Sequence, residues 1–448
     1  MTSQPDIAYP DFQYGPGQPN LYRLMRYKQD LLDRSGIQEG FASFRQCNRL
    51  APAAELCRVA LTREDAYARA HALRYVELEP AGEPFEHPPP SVRGPGNHRR
   101  IRGVSRALYV ACLGNVDVMG RSALPVIGET VLVDVQEHEL GRLDDELEWD
   151  PIIFHAEASH AWRIPSLNHS DPLVIDEAFF LLGAHTDFFG HWMCEYLPKL
   201  LAAMPSDVLP QGVPLLIDAH MPPAHRESLA LIAGDSHPIL EVPAFHTCRV
   251  RSLWLVPSLM YMPLHEKRND RFDWGTVSAP PGRFAPILAE MRRLVARNAP
   301  IPTSTRLVYL ARRLFRHRRL TNAEDIERVA ADLGFTVVYP EDLSFSTQAS
   351  LVLEAEVILA PEGSALFLGF LAMPGTQVGI LSHPLTDALS DYNGLFSTQR
   401  ISTSVLTGPI ETENPTTPHD SDYRIDLGEF GEFAAGLIAQ AHVVHRRD

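Results

Sequence analysis

The spacing of apolar positions changes along the first part of the chain. After Thr62-Arg63-Glu64-Asp65, which is typical of a helix start, the run AYARAHALRYVEL has helical spacing, and a segment rich in proline and glycine follows. From Ala107, β-rich runs (ALYVACL, TVLVDV) separated by Gly, Asn and acidic turns predict one or two antiparallel hairpins. Residues 1–104 are therefore interpreted as an N-terminal extension and linker, to which the sequence assigns no role.

Beyond Asp171 short apolar runs alternate with helical segments. The sequence predicts strands at AFFLL, PLLID, PILEV and LWLVP, and helices at about 191–204 and 225–233. Such alternation is typical of parallel strands joined by crossover helices. An α/β domain is therefore predicted over residues 105–280, and a Pro/Gly break at 278–282 predicts a domain boundary near residues 275–290.

Residues 281–448 repeat the alternation. A helix (APILAEMRRLVARNA) precedes the strand LVYLA, and Thr321-Asn322-Ala323-Glu324 predicts a capping box for a helix that Gly334 ends. TVVY, VILA and TQVGIL are predicted strands, with helices at QASLVLEA and GSALFLGFLAM between them, which completes a half-domain of the nucleotide-binding type. An amphipathic helix from about Leu427 is predicted to pack back across both domains.

Charge and cysteine content narrow the class of protein. Forty Lys and Arg against 56 Asp and Glu give a net charge of −16, which disfavours a nucleic-acid partner. The five cysteines are widely spread without a CxxC pair, so neither a disulfide framework nor a thiolate zinc site is expected. No signal peptide and no run of 18 apolar residues is found, so a cytoplasmic protein without an integral membrane segment is expected.

Three segments of the second half are predicted at the carboxyl edge of its sheet, where ligands bind in open α/β folds. The run 312–319 holds six basic residues, His317 included, and arginine forks match phosphate oxygens; the alternative is a solvated run of charge. Gly363 and Ser364 open a helix whose N–H groups suit an anion, and Glu362 suits a sugar hydroxyl. Gln348 either faces the crevice or belongs to an ordinary helix start, which is the favoured interpretation.

The corresponding edge of the first half carries His185, Asp187 and His191. A helix that begins near Gly190 places His191 and Glu195 one turn apart, and a histidine beside carboxylates suits a general base near neutral pH. The alternative, favoured for a lone histidine, is that His191 caps the helix while Trp192, Tyr196 and Leu200 pack inside. A metal site of His185, His191 and Glu195 is disfavoured because its ligand spacing is not a known one.

Taken together, these segments resemble glycosyltransferase family 61. The residues that carry the resemblance are Phe189-Gly190-His191-Trp192 with 195–200, 308–312 with 319–322, and 359–366 with Phe370 and Pro374-Gly375-Thr376. The order and spacing of these segments agree with the family pattern over roughly residues 105–385. The chain departs from the family pattern where Glu362-Gly363-Ser364 replaces His-Gly-Ala, where Phe367-Leu368-Gly369 lacks the usual Asn, and where Ala311 replaces Ser.

The resemblance implies a GT-B fold, in which two Rossmann-like domains face a cleft. Residues 105–280 would bind the acceptor, and residues 281–448 the donor. It implies an inverting, metal-independent transferase of polysaccharide biosynthesis that moves a sugar from a nucleotide-diphosphate donor to a hydroxyl of a saccharide or protein, without a cofactor. His191 is then the base, and Asp187 is the second choice and orienting partner, with Glu195 beside them. The implied donor-binding residues are Tyr309, Arg312, Arg319, Gln348, Glu362, Gly363, Ser364 and Ala365.

Two alternatives stay open. A nucleotide-sugar epimerase of the same fold would bind the same donor without an acceptor, and a nucleotide-sugar-binding protein would lack catalysis. The sequence leaves open the donor sugar, the base, the acceptor and the oligomeric state, a homo-oligomer included.

Overall fold

The computed structural model describes residues 56–96, 100–135, 150, 153–156, 161–165, 173–206, 208–219, 221–243, 246–260, 267–268, 271–272, 279–298, 305–313, 318–386, 389–415 and 418–444. Three predicted features lie outside these residues: the first 55 residues of the N-terminal extension, Ser278 of the predicted boundary, and Arg316 and His317 of the basic run.

Helices are distributed over the described part of the chain as α1 (Glu64–His71), α2 (Phe189–His191), α3 (Leu197–Ala203), α4 (Pro223–Ala233), α5 (Pro281–Asn298), α6 (Ala323–Asp332), α7 (Phe345–Leu353), α8 (Leu389–Ser397) and α9 (Leu427–Val444). One π-helical turn (Trp192–Tyr196) joins α2 to α3. Short 3₁₀ helices span Met204–Ser206, Pro340–Asp342, Ser364–Leu371 and Pro418–Asp420.

The strands are β1 (Leu56–Arg63), β2 (Arg74–Glu79), β3 (Pro84–His87), β4 (Ser91–Arg93), β5 (Ile101–Val104), β6 (Leu108–Met119), β7 (Val126–Ile127), β8 (Thr130–Val133), β9 (Phe154–Ala156), β10 (Ala161–Pro165), β11 (Leu173–Phe180), β12 (Leu215–Asp218), β13 (Ile239–Val242), β14 (Thr247–Leu255), β15 (Lys267–Arg268), β16 (Arg271–Phe272), β17 (Leu307–Leu310), β18 (Thr336–Val338), β19 (Val357–Pro361), β20 (Gln377–Ser382), β21 (Ser402–Thr407), β22 (Ile410–Thr412) and β23 (Asp422–Tyr423).

The first half forms a mixed sheet. Its parallel part has the order β13-β12-β11-β14, and it continues through an antiparallel pairing of β14 with β6 to β7, β8, β1, β10 and β9. The parallel strands with their crossover helices and the antiparallel lead-in were both predicted. The carboxyl ends of β11, β12 and β14 share one edge, because these three strands are parallel.

The second half forms a sheet of six parallel strands in the order β18-β17-β19-β20-β21-β4. This confirms the predicted β-α alternation of that half. Among the described strands, no pairing joins this sheet to the first. The domain division at residue 280 itself stays a prediction.

The interpretation of residues 1–104 as an appendage is wrong for the part that the structure describes. β1 and β2 belong to the first sheet, and β4 completes the edge of the second by pairing with β21. The helix predicted there ends at His71, and Arg74–Glu79 is a strand because its residues pair with β6. Residues 56–104 therefore tie both sheets together.

Side chains alternate between the two faces of each sheet. One face of each sheet packs on a shared layer that contains α3, α4, α5, α7 and Ser364–Leu371. The opposite face of the first sheet lies against α1, and that of the second lies against α6 and α9. Phe430, Phe433 and Leu437 of α9 are buried, as the amphipathic pattern predicted, but they cover only the second sheet.

The capping box predicted at Thr321 is not formed, and α6 begins one residue later than the motif predicts. Asn322 is the N-cap of α6 and makes no side-chain capping bond, while the Thr321 hydroxyl donates to the carbonyl oxygen of Tyr423. Asn322 instead exchanges hydrogen bonds with the backbone of Ile425. The N-terminus of α6 is thus stabilised by a distant segment, which a local motif cannot report.

No helix of the described chain is long and apolar enough to cross a membrane.

Candidate active site

The two halves meet where α2 contacts the 3₁₀ helix Ser364–Leu371. Gly190 lies so close to the second half that a Cβ there would be 2.9 Å from Cε2 of Phe367 and 3.3 Å from Oγ of Ser364. Both segments follow carboxyl ends of parallel strands, α2 after β11 and Ser364 after β19. The structure therefore brings the histidine segment of the first half against the Glu362-Gly363-Ser364 segment of the second.

His191 lies at this junction and pairs with Glu195. Its Nδ1 is 2.7 Å from Oε1 of Glu195, and the two side chains are 23% and 17% exposed. Burial by itself would lower the pKa of His191, but the negative charge and hydrogen bond of Glu195, with the charge of Asp187, raise it above its ordinary value of 6.5. A proton on Nδ1 that donates to Glu195 leaves Nε2 as the proton acceptor.

The π-helical turn after His191 sends the following aromatic residues into the core. Trp192 is fully buried, donates from Nε1 to Oγ of Ser228 at 2.8 Å, and stacks on His225. Tyr196 and Leu200 are buried as well. The packing that was predicted as an alternative to catalysis is therefore present, yet it leaves the imidazole of His191 partly exposed beside a carboxylate.

His185 stacks on His191, with ring centroids 4.7 Å apart. Burial, followed by the charges of His191 and Arg121, lowers the pKa of His185 well below its ordinary value, so this imidazole is neutral near pH 7. Within the described ranges, no group of three or more His, Cys, Asp or Glu is placed to hold a metal ion. The metal arrangement of His185, His191 and Glu195 is thus not formed.

Arg121, which the sequence analysis did not single out, joins the site from the end of β6. Its side chain is 4% exposed, and Nη2 donates to Oδ2 of Asp187 at 3.1 Å. Its φ of +73° places it in the left-handed region, where a side chain is unfavourable, so the fold holds this residue against a local preference. An isolated arginine after a glycine carries no sequence signal, and only the tertiary contact reveals it.

Asp218 at the end of β12 holds this loop in place. Its buried carboxylate accepts hydrogen bonds from the backbone N–H of Arg121, the backbone N–H of Gly183 and the hydroxyl of Thr186, at 2.5, 3.2 and 2.6 Å. Burial raises the pKa of Asp218 despite the neighbouring Arg121 charge and these hydrogen bonds. Asp218 therefore orders the segment that carries His185 and Asp187.

The second half contributes Arg312 and Arg318 at its carboxyl edge. Nη1 of Arg312 donates to the carbonyl oxygen of Glu362 at 3.3 Å, and Nη1 of Arg318 donates to Oε2 of Glu362 at 2.5 Å. The side chain of Glu362 is 4% exposed and that of Arg318 is 25% exposed. The Glu362 carboxylate thus pairs with Arg318, whereas its predicted partner was a sugar hydroxyl. Gly363, Ser364 and Ala365 lie beside this group, and Gly363 faces Nη1 of Arg312.

Three residues expected at the donor site face elsewhere. The fully buried ring of Tyr309 packs against Phe430, on the face of the sheet opposite the junction. The amide of Gln348 donates to the carbonyl oxygens of Pro340 and Leu343, and Ser344 caps α7, so the ordinary helix start is correct. The side chain of Arg319 binds Asp422. Because side chains alternate along β17, Tyr309 and Leu310 face opposite sides of the sheet. The sequence predicts this alternation, but it does not tell which face of the sheet lies towards the junction.

Residues 189–379 match the model of the family described as Glycosyltransferase 61. The matched segment starts at the first residue of α2 and ends inside β20. It therefore contains His191, the Glu362-Gly363-Ser364 turn and the arginine loop, a name that we give to Arg312, Arg313, Arg318 and Arg319. This match confirms, over residues 189–379, the resemblance to glycosyltransferase family 61 that the sequence predicted, and it supports a transferase with a donor and an acceptor substrate. No match to the chain was found among curated proteins.

Proposed function

We propose that the protein is an inverting glycosyltransferase of the GT-B type that moves a sugar from a nucleotide-diphosphate donor to a hydroxyl of a saccharide or protein acceptor. The observation that carries the proposal is the contact between α2 and the segment after β19. The segment that carries the Glu195-paired His191 thereby contacts the helix that directly follows Glu362-Gly363, and Glu362 binds Arg312 and Arg318. Proton transfer and anion binding, the two tasks of the reaction, are then adjacent.

His191 serves as the base in this proposal. Nε2 takes the proton of the acceptor hydroxyl while the acceptor oxygen attacks the anomeric carbon, and the bond from that carbon to the phosphate oxygen breaks. A single displacement from the opposite face inverts the configuration. Glu195 fixes the tautomer and stabilises the imidazolium that forms. Asp187 is the second choice as base, and it orients the site through Arg121.

Arg312 and Arg318, with the N–H groups of Gly363 and Ser364, bind the leaving nucleoside diphosphate in this proposal. Guanidinium groups in a partly buried site stabilise developing charge without reorganisation, so we propose that no divalent cation is required. Activity is expected to survive a chelator. Loss of turnover in EDTA that manganese or magnesium restores would contradict this part of the proposal.

The same architecture leads us to propose that residues 105–280 bind the acceptor and residues 281–448 the donor, in a cytoplasmic enzyme of polysaccharide biosynthesis. The epimerase alternative is not favoured, because His191 and Arg121 provide a second set of polar groups beside the donor side. Product analysis separates the two activities: a transferase consumes an acceptor, whereas an epimerase returns a nucleotide sugar.

A ligand screen tests the proposal first. Nucleoside diphosphates and nucleotide sugars are screened by thermal shift, since a ligand that binds the folded state raises its apparent stability. The expected result is stabilisation by at least one base series, lost in Arg312→Ala and kept in Arg313→Ala. Arg313 is the matched control, because its side chain faces Glu341, Asp342 and Tyr339 instead. Stabilisation by no nucleotide, or equally in all variants, would contradict the donor assignment.

A further inference from the structure

The arginine loop of the second half is held by a segment that lies outside the family match. We define the C-terminal clamp as residues 418–425, which follow the matched region by about forty residues in the chain. Leu320 and Tyr423 form a parallel β-bridge, and backbone hydrogen bonds flank it: Tyr423 N–H to Arg319 oxygen at 2.9 Å, and Thr321 N–H to Tyr423 oxygen at 2.8 Å. The clamp therefore runs along the arginine loop like an added strand.

Asp422 fixes this register with its side chain. Its Oδ1 accepts from the backbone N–H of Arg319 at 2.8 Å, and its Oδ2 accepts from Nε and Nη2 of the same arginine at 2.8 and 2.5 Å. The side chain of Asp422 is 8% exposed, while that of Arg319 is 48% exposed. The Asp422 carboxylate thus fixes both the backbone and the guanidinium of Arg319 through charge-assisted hydrogen bonds. We call the Asp422–Arg319 pair the staple.

Arg318 is the residue that this staple places. Its φ of +51° lies in the left-handed region, so the isolated loop would not favour this conformation. Its N–H donates to the carbonyl oxygen of Asp420 at 3.0 Å, and its side chain then reaches Glu362. The hydroxyl of Tyr423 donates to the Leu381 oxygen, which also accepts the N–H of Glu362, so the clamp contacts both ends of the Arg318–Glu362 pair.

We propose that Asp422 and Arg319 are positioning residues that hold Arg318 on the phosphates of the donor, and that Arg319 does not itself contact the ligand. This rests on the function proposed above, since it assumes a diphosphate at Arg318. The proposal therefore requires a donor that carries a phosphate group, and this phosphate would bind the Arg318 guanidinium. The clamp makes the donor site depend on residues beyond the segment 189–379 that matches the family model.

Calorimetry with a nucleoside diphosphate that stabilises the wild type, and NMR titration with the corresponding nucleoside, test the proposal. Asp422→Asn is expected to weaken diphosphate binding by about 2- to 30-fold, the range for changes that act on a site through packed neighbours. Affinity for the nucleoside is expected to stay unchanged, because the phosphate contact alone is affected. General damage to the domain would weaken both ligands, and that result would overturn the proposal.

Arg319→Gln provides a second route if Asp422→Asn folds poorly. It removes the staple from the other side, so the same loss is expected, and the double variant should lose no more than either single one. The matched control is Asp117→Asn on β6 of the first sheet, whose carboxylate binds Nε and Nη2 of Arg249 at 2.8 and 2.9 Å; it should leave affinity unchanged.

The outcomes separate the clamp from the proposed function. If the wild type binds no nucleotide in calorimetry, the proposed function fails, and the clamp proposal fails with it. If Arg318→Met weakens binding but Asp422→Asn does not, the clamp proposal alone is overturned. Weakening by Arg319→Gln without weakening by Asp422→Asn would also overturn it, because Arg319 would then touch the ligand directly.

Discussion

The two sides of the junction arrange charge in different ways. On the first side, carboxylates surround a histidine and raise its pKa above the ordinary value of 6.5, and one buried arginine completes the group. On the second side, Arg318 and Arg319 are each paired with an aspartate or glutamate, and arginine stays protonated throughout the neutral range. The first arrangement suits a group that changes protonation, and the second suits a fixed electrostatic surface for an anion.

This difference has a measurable consequence. Changes on the first side should act on turnover and its pH dependence, since His191 is the base in the proposed reaction. Changes on the second side should act on nucleotide affinity, since its charges are constant. A first-side variant that changes mainly nucleotide affinity would contradict this difference. A second-side variant that changes mainly the pH dependence of turnover would contradict it as well.

His191→Ala is expected to have the largest effect. A positioned general base contributes about 10²- to 10⁴-fold, so turnover should fall by that factor. Nucleoside diphosphate affinity should stay nearly intact, because His191 belongs to the other side of the junction. Steady-state transfer assays and calorimetry on the same preparation measure the two quantities.

The control for this variant is His191→Asn, which keeps polarity and approximate size. A folded His191→Asn protein with near-native turnover would show that His191 is structural, and Asp187 or Glu195 would become the candidate base. Equal loss of affinity and turnover in His191→Ala would remove the distinction between the two sides.

Arg318→Met and Arg312→Ala come next in magnitude. Hydrogen bonds to charged groups contribute about 1.5 to 3 kcal/mol, so each variant should weaken diphosphate binding by about 10- to 150-fold. Arg319→Ala should cost less, because its guanidinium is engaged by Asp422. A larger loss for Arg319→Ala than for Arg318→Met would restore the original assignment of Arg319 as the donor contact.

Much of the fold could be predicted from the sequence, because the parallel strands are short apolar runs with helices between them. The segments after β11, β17 and β19 were also placed correctly at strand ends. The pairing of residues 56–104 with both sheets could not be predicted, since partners for β1, β2 and β4 lie far along the chain. The same reason hid the contact of Arg121 with Asp187, that of Arg318 with Glu362 and that of Arg319 with Asp422.

Gly190→Ala tests the contact between the sides. The added Cβ would lie 2.9 Å from Phe367, so α2 or the ring must shift, and overpacking of this kind costs about 1 to 3 kcal/mol. Both turnover and thermal stability should fall. Gly436→Ala in α9 is the control: nothing lies within 4 Å of its added Cβ, and alanine should stabilise that helix by about 0.5 to 1 kcal/mol. A Gly190→Ala protein with unchanged stability and turnover would show that the contact is not tight.

Glu195→Gln addresses the pH dependence of the first side. The base acts in its neutral form, so wild-type turnover should fall as the pH drops through the raised pKa of His191. Without the Glu195 charge that pKa should decrease, and the acidic limb of the pH profile should move to lower pH. Nucleotide affinity should show no matching shift.

The same pair predicts a pH-dependent stability. Because the folded-state pKa of His191 is raised, protonation contributes stability that is fully present below the unfolded value of 6.5 and is lost as the pH rises through the folded value. Glu195→Gln should therefore destabilise the protein more at about pH 5.5 than at about pH 8.5, as measured by urea unfolding at both values. An equal loss at the two pH values would mean that Glu195 acts through packing or a neutral hydrogen bond, and that His191 is not tuned by its charge.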